Sequence, residues 1–259
     1  MADIAVSRIQ GGFRTKGKEK TVSPGRPLIS VITVVFNCGH PLAACIASVL
    51  AQDYENVEYV IIDGGSKNGT LDIIKHYDDK IAYWSSEPDD GIYDAMNKGL
   101  AAARGDWVFF LGSDDVLYNN RTMSDAAVFL DQDVSLVFGN IMYNGGKIVK
   151  SRFNLFSLLH NTVHHQSAFY NASLFKNWRY DSELRLIADY ELNLKIYLEK
   201  LPYRRIDNII SICNQRGQSR DNRKLAFTET NIVRNRYIRG ILGMTLQLLY
   251  LIKFKISSG

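Results

Sequence analysis

Cysteine is scarce in this 259-residue chain: Cys38, Cys45 and Cys213 are odd in number and lack CxxC spacing. That argues against a disulfide framework and a zinc knuckle, and it points to a reducing, cytoplasmic compartment. There are only 5 prolines against 19 glycines, and no Ser/Pro-rich linker or low-complexity tract divides the chain. A collagenous or mainly disordered protein is excluded. No apolar run reaches the roughly 20 residues that cross a bilayer, and residues 1–26 are polar and basic without the apolar stretch of a signal peptide. The GxGxxG and GxxxxGKS/T loops are also missing, which disfavours nicotinamide enzymes and P-loop ATPases.

What is present is enough apolar material for one large core, 46% of residues against 22% charged. Charge is uneven. Residues 200–259 carry 12 Lys/Arg against 3 Asp/Glu, a balance of +9, while residues 1–199 come to −5. Such a tail suits an acidic partner or a solvated helix face.

The runs Ile29–Phe36, Val57–Ile62, Ile81–Trp84 and Trp107–Leu111 are short and apolar, as strands buried on both faces are. Helical spacing follows Pro41, Thr70 and Ile92, so the alternation predicts a doubly wound, parallel α/β sheet. Its strands end in polar loops at Asn37, Asp63 and the pair Asp114/Asp115, and ligands of open parallel sheets bind at that carboxyl edge. Beyond Val134–Phe138 the pattern loosens. A hairpin turn is expected at Asn144–Gly146, a short strand at Gln166–Tyr170, and helices at Ala188–Glu199 and Thr228–Lys255. Adjacent carboxylates after a buried strand offer hard oxygen ligands for Mg²⁺ or Mn²⁺, or serve only as a helix cap.

Four segments, PLISVITVVFN (27–37), SVLAQDYENVEYVIIDGGSKNGT (48–70), EPDDGIYDAMNKG (87–99) and GDWVFFLGSDD (105–115), in this order and spacing resemble the family 2 glycosyltransferases. The resemblance implies a GT-A-like three-layer α/β/α sandwich over residues 27–220, with a mostly parallel central sheet. A basic N-terminal arm (1–26), expected to be mobile, and a basic amphipathic helical extension (221–259) flank it. Thr33, Phe36 and Asn37 would line the nucleobase and ribose pocket, Asp63 would hydrogen-bond the base, and Asp89, Asn97 and Lys98 would sit near the donor. Asp114 would lie by the ribose and Asp115 would ligate a divalent metal, Mg²⁺ or Mn²⁺. His165, in the run His164-His165-Gln166, would face the diphosphate or the metal. Asp189 is the general-base candidate, with Glu191 as the alternative and helix capping as the purely structural role.

Three positions depart from the family pattern: Gly112-Ser113 stand where relatives often carry another acid or amide, Ala188 replaces a frequent Glu, and Arg216-Gly217-Gln218-Ser219 replaces a Gly-Gly-x-Ser loop. QxxRW is missing, so one sugar per encounter is expected. The implied reaction moves a sugar from a nucleotide-sugar donor to an acceptor hydroxyl with inversion, in polysaccharide or glycolipid assembly on a lipid-linked acceptor. Nucleic acid is not an expected partner. The tail, through Leu246, Leu249, Tyr250 and Phe254 with its bases, either lies peripherally on the anionic inner face of the plasma membrane or docks on the protein's own core. A nucleotidyltransferase and a noncatalytic sugar-nucleotide-binding scaffold are the rival functions.

Overall fold

The computed structural model describes residues 8–20, 23–214 and 222–256. The apolar β-branched runs become the parallel strands β2 (Ile29–Val35), β3 (Val57–Asp63), β4 (Tyr83–Ser86) and β5 (Trp107–Phe110). Alternation sends Val31 and Phe109 to one face and Ile32 and Phe110 to the other. Helices α1 (Pro41–Leu50), α2 (Thr70–His76) and α4 (Thr122–Ala127) cover the first face; α3 (Ile92–Ala102) and α5 (Ala188–Leu198) cover the second. Three α/β/α layers result, because a strand apolar on both sides must be covered on both.

The full sheet is mixed rather than uniformly parallel. Its order is β1-β4-β3-β2-β5-β9-β7-β10-β6, with β8 on β7. Strands β7 (Leu136–Tyr143) and β10 (Tyr203–Cys213) keep the main direction; β1 (Ile9–Gly11), β6 (Val116–Leu117), β8 (Ile148–Lys150) and β9 (Ala168–Asn171) oppose it. The reversal at β9 has a use. Its chain enters from the carboxyl edge, so the 3₁₀ turn His165–Ser167 before it lies on the same edge as the loops after β2, β3 and β5.

Three expectations are corrected. The strand read at Ile81–Trp84 sits two residues later, because Ile81 and Ala82 donate to Tyr77 and Tyr59 while their carbonyls take Phe13 and Arg14 from the N-terminal segment. That segment is therefore no mobile arm over residues 8–20. It adds β1 to the β4 edge, and Arg14 enters a buried ion pair with Glu58 at 2.9 Å and reaches the Ala102 carbonyl. The C-terminal helix is two: α6 (Arg223–Tyr237) and α7 (Gly240–Ile256), parted where Ile238 is extended and Gly240 takes φ 70°.

The second helix α7 docks through Leu246, which is buried, and through Tyr250 and Phe254, whose rings lie 5.0 and 4.6 Å from that of Phe227 on α6. Arg234 is fully buried beneath Tyr250. The docking face is thus part of what sequence offered as a lipid-facing one, and the opposite side, with Met244, Leu248, Leu251 and Ile252, is exposed. Helix α6 in turn grips α5: buried Glu229 accepts the Arg185 and Leu186 amides at 2.8 Å each, while Arg236 and Tyr237 hold Glu191 at 3.0 and 3.2 Å.

Candidate active site

The loops after β2, β3, β4 and β5, the His165 turn and the first turn of α5 meet at the carboxyl edge. Phe36 projects there with 64% of its surface exposed, while Asn37, at φ 50°, accepts the Lys67 amide and donates its own to Ser66. Asp63 closes β3 and is fully buried; its carboxylate takes the Ser66 amide and the hydroxyls of Ser66 and Ser86. It fastens this loop rather than presenting a free edge.

Two candidates have their side-chain polar atoms engaged within the fold. Thr33 is completely buried, bonded to Tyr59 at 3.0 Å, and forms part of the core under the site. The Asn97 amide spends both ends on the Tyr180 backbone, donating at 2.8 Å and accepting at 2.9 Å. Lys98 binds the Pro88 carbonyl and Asp94, so it braces the loop bearing Asp89. The half-buried Asp89 accepts the Gly91 amide, and burial raises its carboxyl pKa.

After β5, Asp114 is exposed and Asp115 is buried. Asp115 accepts the Asn214 amide at 3.0 Å, and burial, then the charge of Asp114, raises its pKa. Among the described residues such a carboxylate has no Lys or Arg partner, and it favours a cation. The sequence leaves room for it: a Cβ on Gly112 would collide with the Asp115 carboxylate, as one on Gly64 would with Asp89. The Gly112 that departs from the family pattern thus has a steric role. Among the described residues no group of three or more His, Cys, Asp or Glu side chains is placed to hold a metal ion. The Arg216–Ser219 loop lies outside the described residues.

Asp189 sits at the centre of the second half of the site. It is not the cap of α5, a position held by Ile187, but lies in the first turn, where the helix dipole favours a carboxylate. One oxygen takes the Tyr93 hydroxyl at 3.2 Å and the Tyr190 amide at 2.9 Å; the other takes Asn161 at 2.9 Å and faces His165 Nδ1 at 3.2 Å. Asn161 accepts from Asn193, which accepts from Tyr170. Tyr93 lies inside the 87–99 motif and was open to notice. Asn161 lies in the loosely patterned stretch, where nothing in the sequence marks it. Glu191 points the other way, into its pair with the part-exposed Arg236.

The fold of this mixed sheet is shared with solved glycosyltransferases of GT-A type. Staphylococcus aureus TarS (1–349) with UDP-GlcNAc superimposes with a TM-score of 0.67 at 21% identity, covering 86% of this chain and 71% of that one. A Pyrobaculum calidifontis mannosyltransferase with GDP-Man and Mn²⁺ gives 0.66 at 18% identity, over 93% and 75%. A Mycobacterium bovis PGL/p-HBAD biosynthesis glycosyltransferase is 32% identical over 183 residues, 66% of this chain and 70% of that protein. The family model for glycosyl transferase family 2 matches residues 30–199. The chain belongs to this family, and the protein is a glycosyltransferase.

Proposed function

We propose that this enzyme transfers a sugar from a nucleotide-sugar donor to an acceptor hydroxyl with inversion at the anomeric carbon, using Asp189 as general base. The single observation that carries this reading is the environment of Asp189: a carboxylate at a helix start, oriented by Tyr93, Asn161 and His165 on the edge where the acidic loops converge. As the acceptor oxygen attacks, its bond to the anomeric carbon forms, the bond to the diphosphate breaks, and the hydroxyl proton passes to Asp189. A late transfer suits a carboxylate, since bond formation acidifies the hydroxyl. His165, on the same carboxylate oxygen, fixes its direction.

A nucleotide-sugar donor is supported by the TarS and mannosyltransferase complexes, which hold UDP-GlcNAc and GDP-Man. The donor chemistry of Asp115 and Asp114 fits Mg²⁺ or Mn²⁺, which is commonly held by one or two carboxylates with substrate phosphates completing the shell. Such an ion supplies neutralisation of the leaving diphosphate. His165 is the further ligand candidate. Phe36 and Asn37 are suited to the nucleobase side, and Asp89 to the sugar side.

Peripheral membrane contact and a lipid-linked acceptor are supported by the exposed apolar stripe of α7, where Met244 and Leu248 are 72% and 58% exposed. Among the described residues no helix is long and apolar enough to cross a membrane. Hydrolysis and transfer assays over UDP-, GDP- and dTDP-sugars with Mg²⁺ or Mn²⁺, with the product anomer read by NMR, test the proposal. Retention of the donor's anomeric configuration would overturn it.

A further inference from the structure

We propose that the groove between Lys150, Arg152 and Arg205, walled by Phe153 and Tyr203, binds an acidic group carried on a sugar of the acceptor, a phosphate or a carboxylate. The inference rests on the transferase reading above and names the class of acceptor. The groove has a volume of about 620 Å³. Lys150 ends β8, Arg152 follows it, and Arg205 comes from β10, so two segments far apart in sequence bring three cations to one concavity.

Their charge is largely unspent. Arg205 pairs with Asp207 at 2.7 Å and reaches the Ser151 carbonyl, whereas Lys150 and Arg152 have no acidic partner among the described residues. Two unpaired cations beside a paired one make a surplus that an anion would neutralise, and the guanidinium fork suits two oxygens of a phosphate or a carboxylate at once.

The walls favour a saccharide as the carrier. Phe153 and Tyr203 meet edge to face at 5.0 Å, and Tyr203 stacks on Phe138 at 5.9 Å, so the apolar ring faces are fixed before any ligand arrives. Tyr203 is 45% exposed and so offers its ring to a ligand. The concave, polar lining does not suit insertion into a bilayer, which takes a protruding apolar face such as that of α7.

The groove is joined to the site. The Arg152 amide donates to the Thr162 carbonyl at 3.0 Å, and the preceding residue, Asn161, holds Asp189. Phe153 also packs edge-on against Tyr197 near the far end of α5, the helix that begins with the base. Eight helical steps from Asp189 to Tyr197 put the groove about 12 Å along that axis. An acceptor whose acidic sugar is a short distance back along the glycan from the reacting hydroxyl would span both.

The test is saturation-transfer NMR on the full chain with glucose 6-phosphate and glucose, inorganic phosphate as competitor, and phosphatidylglycerol vesicles in a separate flotation arm. Saturable binding of glucose 6-phosphate, at least tenfold weaker binding of glucose, and at least tenfold weakening in Lys150→Ala/Arg152→Ala are expected. The charge-retaining Lys150→Arg/Arg152→Lys variant should keep binding. Equal binding of the two sugars, equal affinity in the alanine variant, or retention by vesicles lost in that variant without any phosphosugar binding would overturn the groove. Phosphosugar binding by a protein that turns over no nucleotide sugar would support the groove while counting against the function proposed above.

Discussion

Asn161 donates to Asp189 at 2.9 Å and accepts from Asn193 at 3.0 Å, so one amide joins the first turn of α5 to its second. With Tyr170 behind Asn193, the carboxylate is held by a chain of neutral hydrogen bonds that starts in the sheet. The Asn161 amide and the Tyr93 hydroxyl orient Asp189 without adding a charge of their own.

Asp189→Asn should lower turnover about 10²- to 10⁴-fold with donor affinity kept, measured by transfer kinetics and nucleotide titration. Glu191→Gln should instead cost stability, about 1–2 kcal/mol, since a charged hydrogen bond to the part-exposed Arg236 is weakened. Thermal melts beside kinetics at saturating acceptor separate the two. A severe turnover defect in Glu191→Gln would move the base.

Asn161→Ala should reduce kcat about 10- to 100-fold, because a misoriented base loses its alignment, with little change in the KM for donor. Asn161→Asp should not rescue it, as a second carboxylate beside Asp189 repels it. Steady-state kinetics in donor and acceptor show the split.

Nucleotide binding in the presence of Mn²⁺ should weaken on acidification at a pH above the usual carboxylate range, since burial and Asp114 raise the Asp115 pKa. Asp114→Asn should shift that midpoint down, and Gly112→Ala should weaken binding at every pH by displacing Asp115. In the ligand-free protein the sign is opposite: a raised carboxyl pKa favours folding below it, and that contribution is lost as pH rises through it. Calorimetry across pH checks the first effect and melts check the second.

Arg14→Ala should destabilise the fold by about 1–3 kcal/mol, because Glu58 is buried and, among the described residues, would keep Ser30 and the amides of Arg104 and Gly105 but no cation. Urea unfolding of variant and wild type measures it. A change near zero would mean that the N-terminal strand is not held through this pair.

Met244→Asp/Leu248→Asp should abolish flotation with anionic liposomes while leaving the melting temperature near that of wild type, since both side chains face away from α6. Flotation that persists in the variant counts against the α7 stripe as the contact.

The four parallel strands and the acidic edge were legible because buried parallel strands are continuous apolar runs, and residues after them are bound to share an edge. The roles of single residues were less so. Thr33 and Asn97 stand in matching motifs, yet a hydroxyl under the sheet and an amide clamped to Tyr180 differ from site residues only in direction, which spacing does not encode. The N-terminal strand escaped notice because three residues pairing with a sheet edge carry no periodicity, and its anchor, Arg14 with Glu58, spans 44 positions. The tail was ambiguous for a physical reason: α7 is apolar on the side that docks and on the side that does not.

The grip of α6 on α5 bears on how such enzymes are cut and recombined. The family match stops at residue 199, but Glu229 caps the amides of Arg185 and Leu186 just ahead of Asp189, from thirty positions beyond that border. A chimera joined at residue 199 would inherit Asp189 from one parent and the fastening of its segment from another. Exchanging acceptor preference between relatives therefore calls for moving α5 and α6 as one unit, with the seam placed before Tyr180 or after Tyr237.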